Sequence, residues 1–106
     1  MRIPAEAIIP EGKIRRYLLV PKISGDKQKY LARGGFDQAT AAALEAEIRR
    51  LAAEVDAKVD RVTSRGTYYN VSGSLFGPSG TALAVKLVWL QRLGGDFSFV
   101  TLVPQT

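Results

Sequence analysis

The feature that most limits the folds open to this chain is a change of period at Ala57. Before it, Leu44, Ile48, Leu51, Ala52 and Val55 recur at helical spacing, and Asp37 stands where an N-cap belongs. The spacing predicts a helix from about Gln38 to Asp56 that buries this stripe. Its outer face carries Glu45, Glu47, Arg49, Arg50 and Glu54, with Glu45 and Arg49 placed to pair at i, i+4. After Ala57 the residues turn β-branched and aromatic and are broken by turn formers, the pattern of antiparallel strands.

Four strands are expected. Lys58 to Thr63 is short and charged, which suits an edge. Thr67 to Phe76 alternates Tyr69, Val71, Gly73 and Leu75 against Tyr68, Asn70, Ser72 and Ser74, so one face is apolar and the other polar. Gly77-Pro78-Ser79-Gly80 has hairpin length, and Thr81 to Gln91 is apolar enough for a central strand, with a single charge at Lys86. Arg92 to Asp96 turns the chain into Phe97 to Val103, which ends before Pro104. Strict alternation puts Ser98 and Thr101 on opposite faces of that last strand.

Upstream, Pro10 and Glu11 mark a helix start, Ile14, Tyr17 and Leu18 follow at i, i+3, i+4, and Pro21 closes the helix near Leu19 or Val20. Ile23-Ser24-Gly25 breaks the chain, and Asp26 is placed to cap a short helix from Lys27 to Ala32 that Gly34-Gly35 ends. Helices first and a meander after give an α+β fold: N-terminal helices packed on one face of a C-terminal antiparallel sheet of three to four strands. Residues 1–106 form one domain on this reading. The sheet face carrying Tyr68, Asn70, Ser72 and Lys86 is left partly open.

Composition then narrows the chemistry. The chain has no histidine and no cysteine, so disulfide scaffolds, common zinc sites and histidine-based triads are excluded, and neither a metal nor a cofactor is expected. The net charge of +5 at pH 7 favours an anionic partner. It is local: Lys13, Arg15, Arg16, Lys22, Lys27, Lys29 and Arg33 face one acid, Asp26, so Gly12 to Phe36 carries +6 and the remainder −1. No signal-peptide-like start and no long apolar run appear, so no membrane is implied and cytoplasmic residence is the default expectation.

Three constellations can hold an anion. Lys27 and Lys29 stand at a helix start and suit a phosphodiester, although lysines at this spacing also simply solvate a surface. Arg65-Gly66-Thr67-Tyr68-Tyr69 joins a guanidinium to two rings, of which at most one is free to stack on an unpaired base. Lys86, amid apolar neighbours, either snorkels to water or is buried as a proton carrier. Arg16, Arg33, Arg65, Tyr68 and Lys86 are therefore nucleic-acid contact candidates. No phosphate-loop or dinucleotide motif is present. Cleavage of RNA stays open, because the 2′-hydroxyl of RNA is its own nucleophile and the protein need supply only proton transfer and cations.

Ile9-Pro10-Glu11-Gly12-Lys13-Ile14, Tyr17-Leu18-Leu19, Lys27-Gln28-Lys29-Tyr30, Gly35-Phe36, Gly66, Tyr69-Asn70-Val71, Gly77-Pro78-Ser79-Gly80, Trp89 and Val100-Thr101 together resemble a small bacterial family, catalogued as domain of unknown function 6883. The resemblance spans nearly the whole chain. Where the family usually closes with Leu-Val-Thr, this chain has Phe99-Val100-Thr101. Helices followed by a sheet look like the barnase, EndoU, colicin and RelE group of RNA-cleaving domains, many of them toxins. That likeness implies Lys27 and Lys29 as phosphate or acid/base groups, Tyr69 as a stacking or orienting ring, and Thr101 as a hydroxyl donor, all four in a catalytic site. It also implies a small acidic neutralising protein as partner. Lacking histidine, the chain matches the Lys, Arg and Tyr arrangement of RelE-type chemistry better than the acid/base pair of barnase or EndoU. The resulting expectation is a small RNA-binding domain, with metal-independent RNA cleavage as its activity. The alternative is a non-catalytic module whose basic patch docks an acidic protein.

Overall fold

Alternating side chains between turn residues produce four strands: β1 (Lys58–Thr63), β2 (Gly66–Phe76), β3 (Ala82–Arg92) and β4 (Phe97–Pro104). They pair in chain order as one antiparallel sheet. The computed structural model describes residues 1–10, 12–19 and 27–105, except the Arg16 and Tyr17 side chains. The expectations placed on Glu11, Pro21, Lys22, the Ile23-Ser24-Gly25 break, the Asp26 cap and the Arg16 side chain lie outside the described residues.

β1 is an edge strand, as its charge suggested, and Val62 on it is 74% exposed. β2 and β3 are interior. Their inward residues Val71, Leu75, Leu83, Val85, Leu87 and Trp89 join Phe97, Phe99 and Leu102 of β4 in the core, where Trp89 and Phe99 meet edge to face at 5.3 Å.

The long helix is entered through a 3₁₀ turn, Gln38–Thr40, and its α-helical part, α2, runs Ala41–Glu54. Asp37 caps the entry reciprocally: Thr40 N–H donates to Asp37 Oδ1 at 3.0 Å and Asp37 N–H donates to Thr40 Oγ1 at 2.8 Å. Leu44, Ile48 and Leu51 face the sheet, and Leu51 fits over Gly73, where a Cβ would come within 2.8 Å of its Cδ2. A polar clasp fixes the far end of this contact. Glu47 accepts from Arg50 Nη2 at 2.9 Å and from Phe76 N–H at 2.8 Å, while Arg50 Nη2 also donates to Ser74 O at 2.8 Å. The Arg50 hydrogen bond, opposed by burial and aided by the Phe76 amide, holds the Glu47 carboxyl below its usual range; the same bond raises Arg50.

Two features depart from the expected helical layer. The first helix is a π-helical turn, Lys13–Leu18, in which Leu19 N–H donates to Ile14 O at 3.0 Å. The wider turn lets Ile14, Leu18 and Leu19 all reach the core, which a regular α-helix would not allow as directly. The short helix α1 (Lys27–Ala32) forms as expected but lies against β4, the other edge strand, anchored by the fully buried Leu31, whereas α2 covers the face. The fold is α+β, with one helix on the face and one at the edge.

A further contact has no signature in the sequence. Ile8 bridges Ser98 in parallel along the outer edge of β4, with Ile8 N–H donating to Phe97 O at 2.9 Å and Phe99 N–H to Ile8 O at 2.8 Å. That edge is thus covered at one end by this segment and flanked by α1.

Candidate functional site

α1 is tied to the sheet at two polar points one turn apart. Lys27 Nζ donates to Thr101 Oγ1 at 2.7 Å, and the Tyr30 hydroxyl donates to Ala84 O at 2.7 Å. With Leu31 buried, these bonds set how the helix sits, so Lys27 is placed by packing rather than by its own flexible stem. Lys29 and Arg33 are exposed on the same helix and the residue just past it, and the Arg33 guanidinium lies 5.6 Å from the Tyr30 ring centre. Of these side chains, Lys27 bonds Thr101 and Tyr30 bonds Ala84, while Lys29 and Arg33 add exposed charge to the same short segment.

Thr101 reaches this place because β4 is irregular. Between Val88 and Trp89 the register shifts, so that Trp89 pairs with Phe99 but Val88 pairs with Thr101, and Val100 is the extra residue. Leu102, not Thr101, then resumes the core face. Ser98 pairs with Leu90, which shares a face with Val88, so Ser98 and Thr101 lie on the same face rather than on opposite ones. The inserted residue cancels the parity that plain alternation assigned them.

That face also carries Tyr68, Asn70, Ser72 and Lys86. Lys86 is half-buried and lines a cavity of 450 Å³ with Lys58, Asn70 and Ser72. Tyr68 is covered rather than free, 8% exposed beneath the Arg61 guanidinium at 4.2 Å from its ring centre. Arg65 projects from the β1–β2 turn and is exposed. Tyr69 is on the other face: its ring lies 5.7 Å from that of Phe97 and its hydroxyl donates to Gln91 Oε1 at 3.3 Å. The structure brings Lys27 and Thr101 together, places Lys86 on the Thr101 side of the sheet, and does not bring Tyr69 to them. Among the described residues, no group of three or more acidic, histidine or cysteine side chains is placed to hold a metal ion.

Residues 4–106 match the family described as domain of unknown function DUF6883. The chain belongs to that family. This DUF6883 domain is also similar to one chain of a solved contact-dependent growth inhibition toxin–immunity protein complex from Klebsiella pneumoniae 342, at 20% identity over 96% of each chain with a TM-score of 0.69. At that identity the likeness is one of fold. No curated protein matches the sequence. Among the described residues of this DUF6883 domain, no helix is long and apolar enough to cross a membrane.

Sequence reasoning left Tyr30, Arg61 and Lys58 out of the site. Tyr30 follows Lys27 by three residues and so shares its side of α1, a signal the Lys27-Gln28-Lys29-Tyr30 run already contained. Arg61 and Lys58 could not be placed over the open face, because the register shift between Val59 and Arg61 that orients β1 leaves no mark in the residue pattern.

Proposed function

We propose that this protein is a small cytoplasmic RNA-binding domain of toxin type that cleaves the RNA it holds without a metal. The observation that carries this reading is the Lys27–Thr101 hydrogen bond of 2.7 Å, formed across 74 residues. A preorganised ammonium and hydroxyl at the rim of an open sheet face are suited to a phosphodiester, whose charge grows as the 2′-oxygen attacks. In that reaction the 2′-hydroxyl adds to the adjacent phosphorus, the bond from phosphorus to the 5′-oxygen breaks, and the proton lost by the 2′-oxygen is balanced by one delivered to the 5′-oxygen. Lys27 stabilises the phosphorane and serves as the nearest proton donor, Thr101 orients Lys27 and the phosphate, and Lys29, Arg33 and Arg65 hold flanking backbone. Tyr69 supports the sheet beneath the site.

The experiment is direct. Purified protein incubated with total RNA at low salt should degrade it, Lys27→Ala should abolish cleavage, and Lys29→Ala should weaken binding. Induced expression should arrest growth unless Lys27 is replaced. RNA left intact, with no binding at low salt, would overturn both the cleaving and the binding form of the proposal.

A second reading has its own support: the solved chain of similar fold belongs to a two-protein complex, and the +6 segment suits an acidic partner. On this reading the basic patch docks a small acidic protein. Capture of such a partner by a protein with no effect on RNA or growth would favour docking, and relief of growth arrest by the partner would instead make it the neutralising protein.

A further inference from the structure

We propose that the cavity lined by Lys58, Asn70, Ser72 and Lys86 is a second phosphate site, which holds the backbone phosphate next to the one at Lys27 and Thr101. It rests on the RNA reading above and adds the path of the strand.

The cavity of 450 Å³ opens on the same sheet face as Thr101. Its polar lining is two lysines, an amide, a hydroxyl and one carboxylate. Neither Lys58 nor Lys86 takes part in an ion pair among the described residues, though both line one space. Two ammonium groups on one cavity repel each other until an anion is seated between them. Asn70 also lines the space, and its Oδ1 is buried with no hydrogen-bond partner. Ser72 adds an exposed hydroxyl. The one acid in the lining, Asp56, is already engaged, 3.3 Å from Arg2 Nε and 3.9 Å from the N-terminal amine.

The register gives the distance to the first site. Lys58 pairs with Asn70, Asn70 with Val88, and Val88 with Thr101, so these four positions form one row across the sheet. Lys86 pairs with Val103 and is therefore diagonal to Thr101. Diagonal neighbours of this kind stand about 7–8 Å apart. That is comparable to the step between successive phosphates of an extended single strand. One phosphate at Thr101 and the next at Lys86 define a strand running across β4, β3 and β2 toward Lys58.

Two measurements test this. Binding of a labelled single-stranded RNA oligonucleotide, followed by anisotropy over a salt series, compares the wild type with Lys58→Ala/Lys86→Ala. Loss of one phosphate contact should lower the magnitude of the log K against log salt slope by about 0.7, and weaken binding alike for all sequences. An unchanged slope overturns the proposal. Separately, titration with inorganic phosphate should shift the Asn70 side-chain amide signals saturably in the wild type and not in the double variant. If the wild type binds no RNA, the proposed function fails by itself. A phosphate response would in that case overturn only RNA as the source of the anion, and no response would overturn the site.

Discussion

Replacing Glu47 with glutamine probes the join between α2 and the sheet most sharply, because the charge is removed while the shape is kept. Glu47 accepts from Arg50 Nε at 3.1 Å, from Arg50 Nη2 at 2.9 Å and from Phe76 N–H at 2.8 Å. A charge-assisted hydrogen bond is roughly twice as strong as a neutral one, and each contributes about 1.5–3 kcal/mol net. Glutamine Oε1 can keep the Arg50 Nη2 and Phe76 bonds without the carboxylate charge, while its amide nitrogen in place of Oε2 loses the Arg50 Nε bond. Solvent at the rim screens the pair, so the expected cost is about 1–2 kcal/mol rather than the full sum. For a domain of this size that lowers Tm by roughly 5–10 °C. The pH dependence adds a stricter test. Because the folded-state pKa of Glu47 lies below the ordinary 4.5, its stabilisation is complete above that value and is lost as pH falls through the folded pKa. Thermal melts followed by circular dichroism should therefore show wild type and Glu47→Gln well separated near neutral pH and converging in acid. A Tm gap that is absent at neutral pH, or that stays constant into the acid range, would refute the account of the clasp.

Gly77→Ala should destabilise the fold by about 1–3 kcal/mol, read as a lower denaturant midpoint, because its Cβ would collide with the Gly34 carbonyl oxygen. The same contact holds the β2–β3 turn to the end of α1, where Ser79 N–H donates to Gly34 O at 3.0 Å, so RNA cleavage should fall with it. Thr101→Val keeps the strand and removes the hydroxyl at Lys27; RNA cleavage should drop about 100-fold while the protein stays folded with a modestly lower Tm, and Thr101→Ser should restore most of the cleavage. Arg61→Ala uncovers the Tyr68 ring, at a cost of about 0.5–1 kcal/mol. Faster nitration of Tyr68, followed by mass spectrometry, is the expected result.

The strands were legible because their punctuation is chemical. Gly66, Gly77 to Gly80 and Gly94-Gly95 stop the alternation where the backbone turns, so the strand ends were read to within a residue of β1, β2, β3 and β4. α2 and its Asp37 cap were legible for a similar reason. Insertions were not. Val100 in β4 reads as one more residue of an alternating strand, yet it moves Thr101 to the other face and so decides which side of the sheet the Lys27 pair belongs to. The π-helical turn was equally silent, since Ile14 and Leu18 fit an α-helix and only the burial of Leu19 distinguishes the two. The family likeness put Lys27 and Thr101 in one site, but the residue pattern did not: their meeting depends on α1 lying along β4, which no local pattern encodes.

The contacts that complete this molecule join its early residues to its final strand: Ile8 to Phe97 and Phe99, Lys27 to Thr101. Translation, at about 5–20 residues per second, therefore delivers the two halves of the site seconds apart. A nascent or prematurely released chain that stops short of β4 has no Thr101 hydroxyl and no edge for Ile8 to join. The Lys27–Thr101 pair therefore exists only once synthesis has passed Thr101, so every shorter chain carries the cation without its hydroxyl.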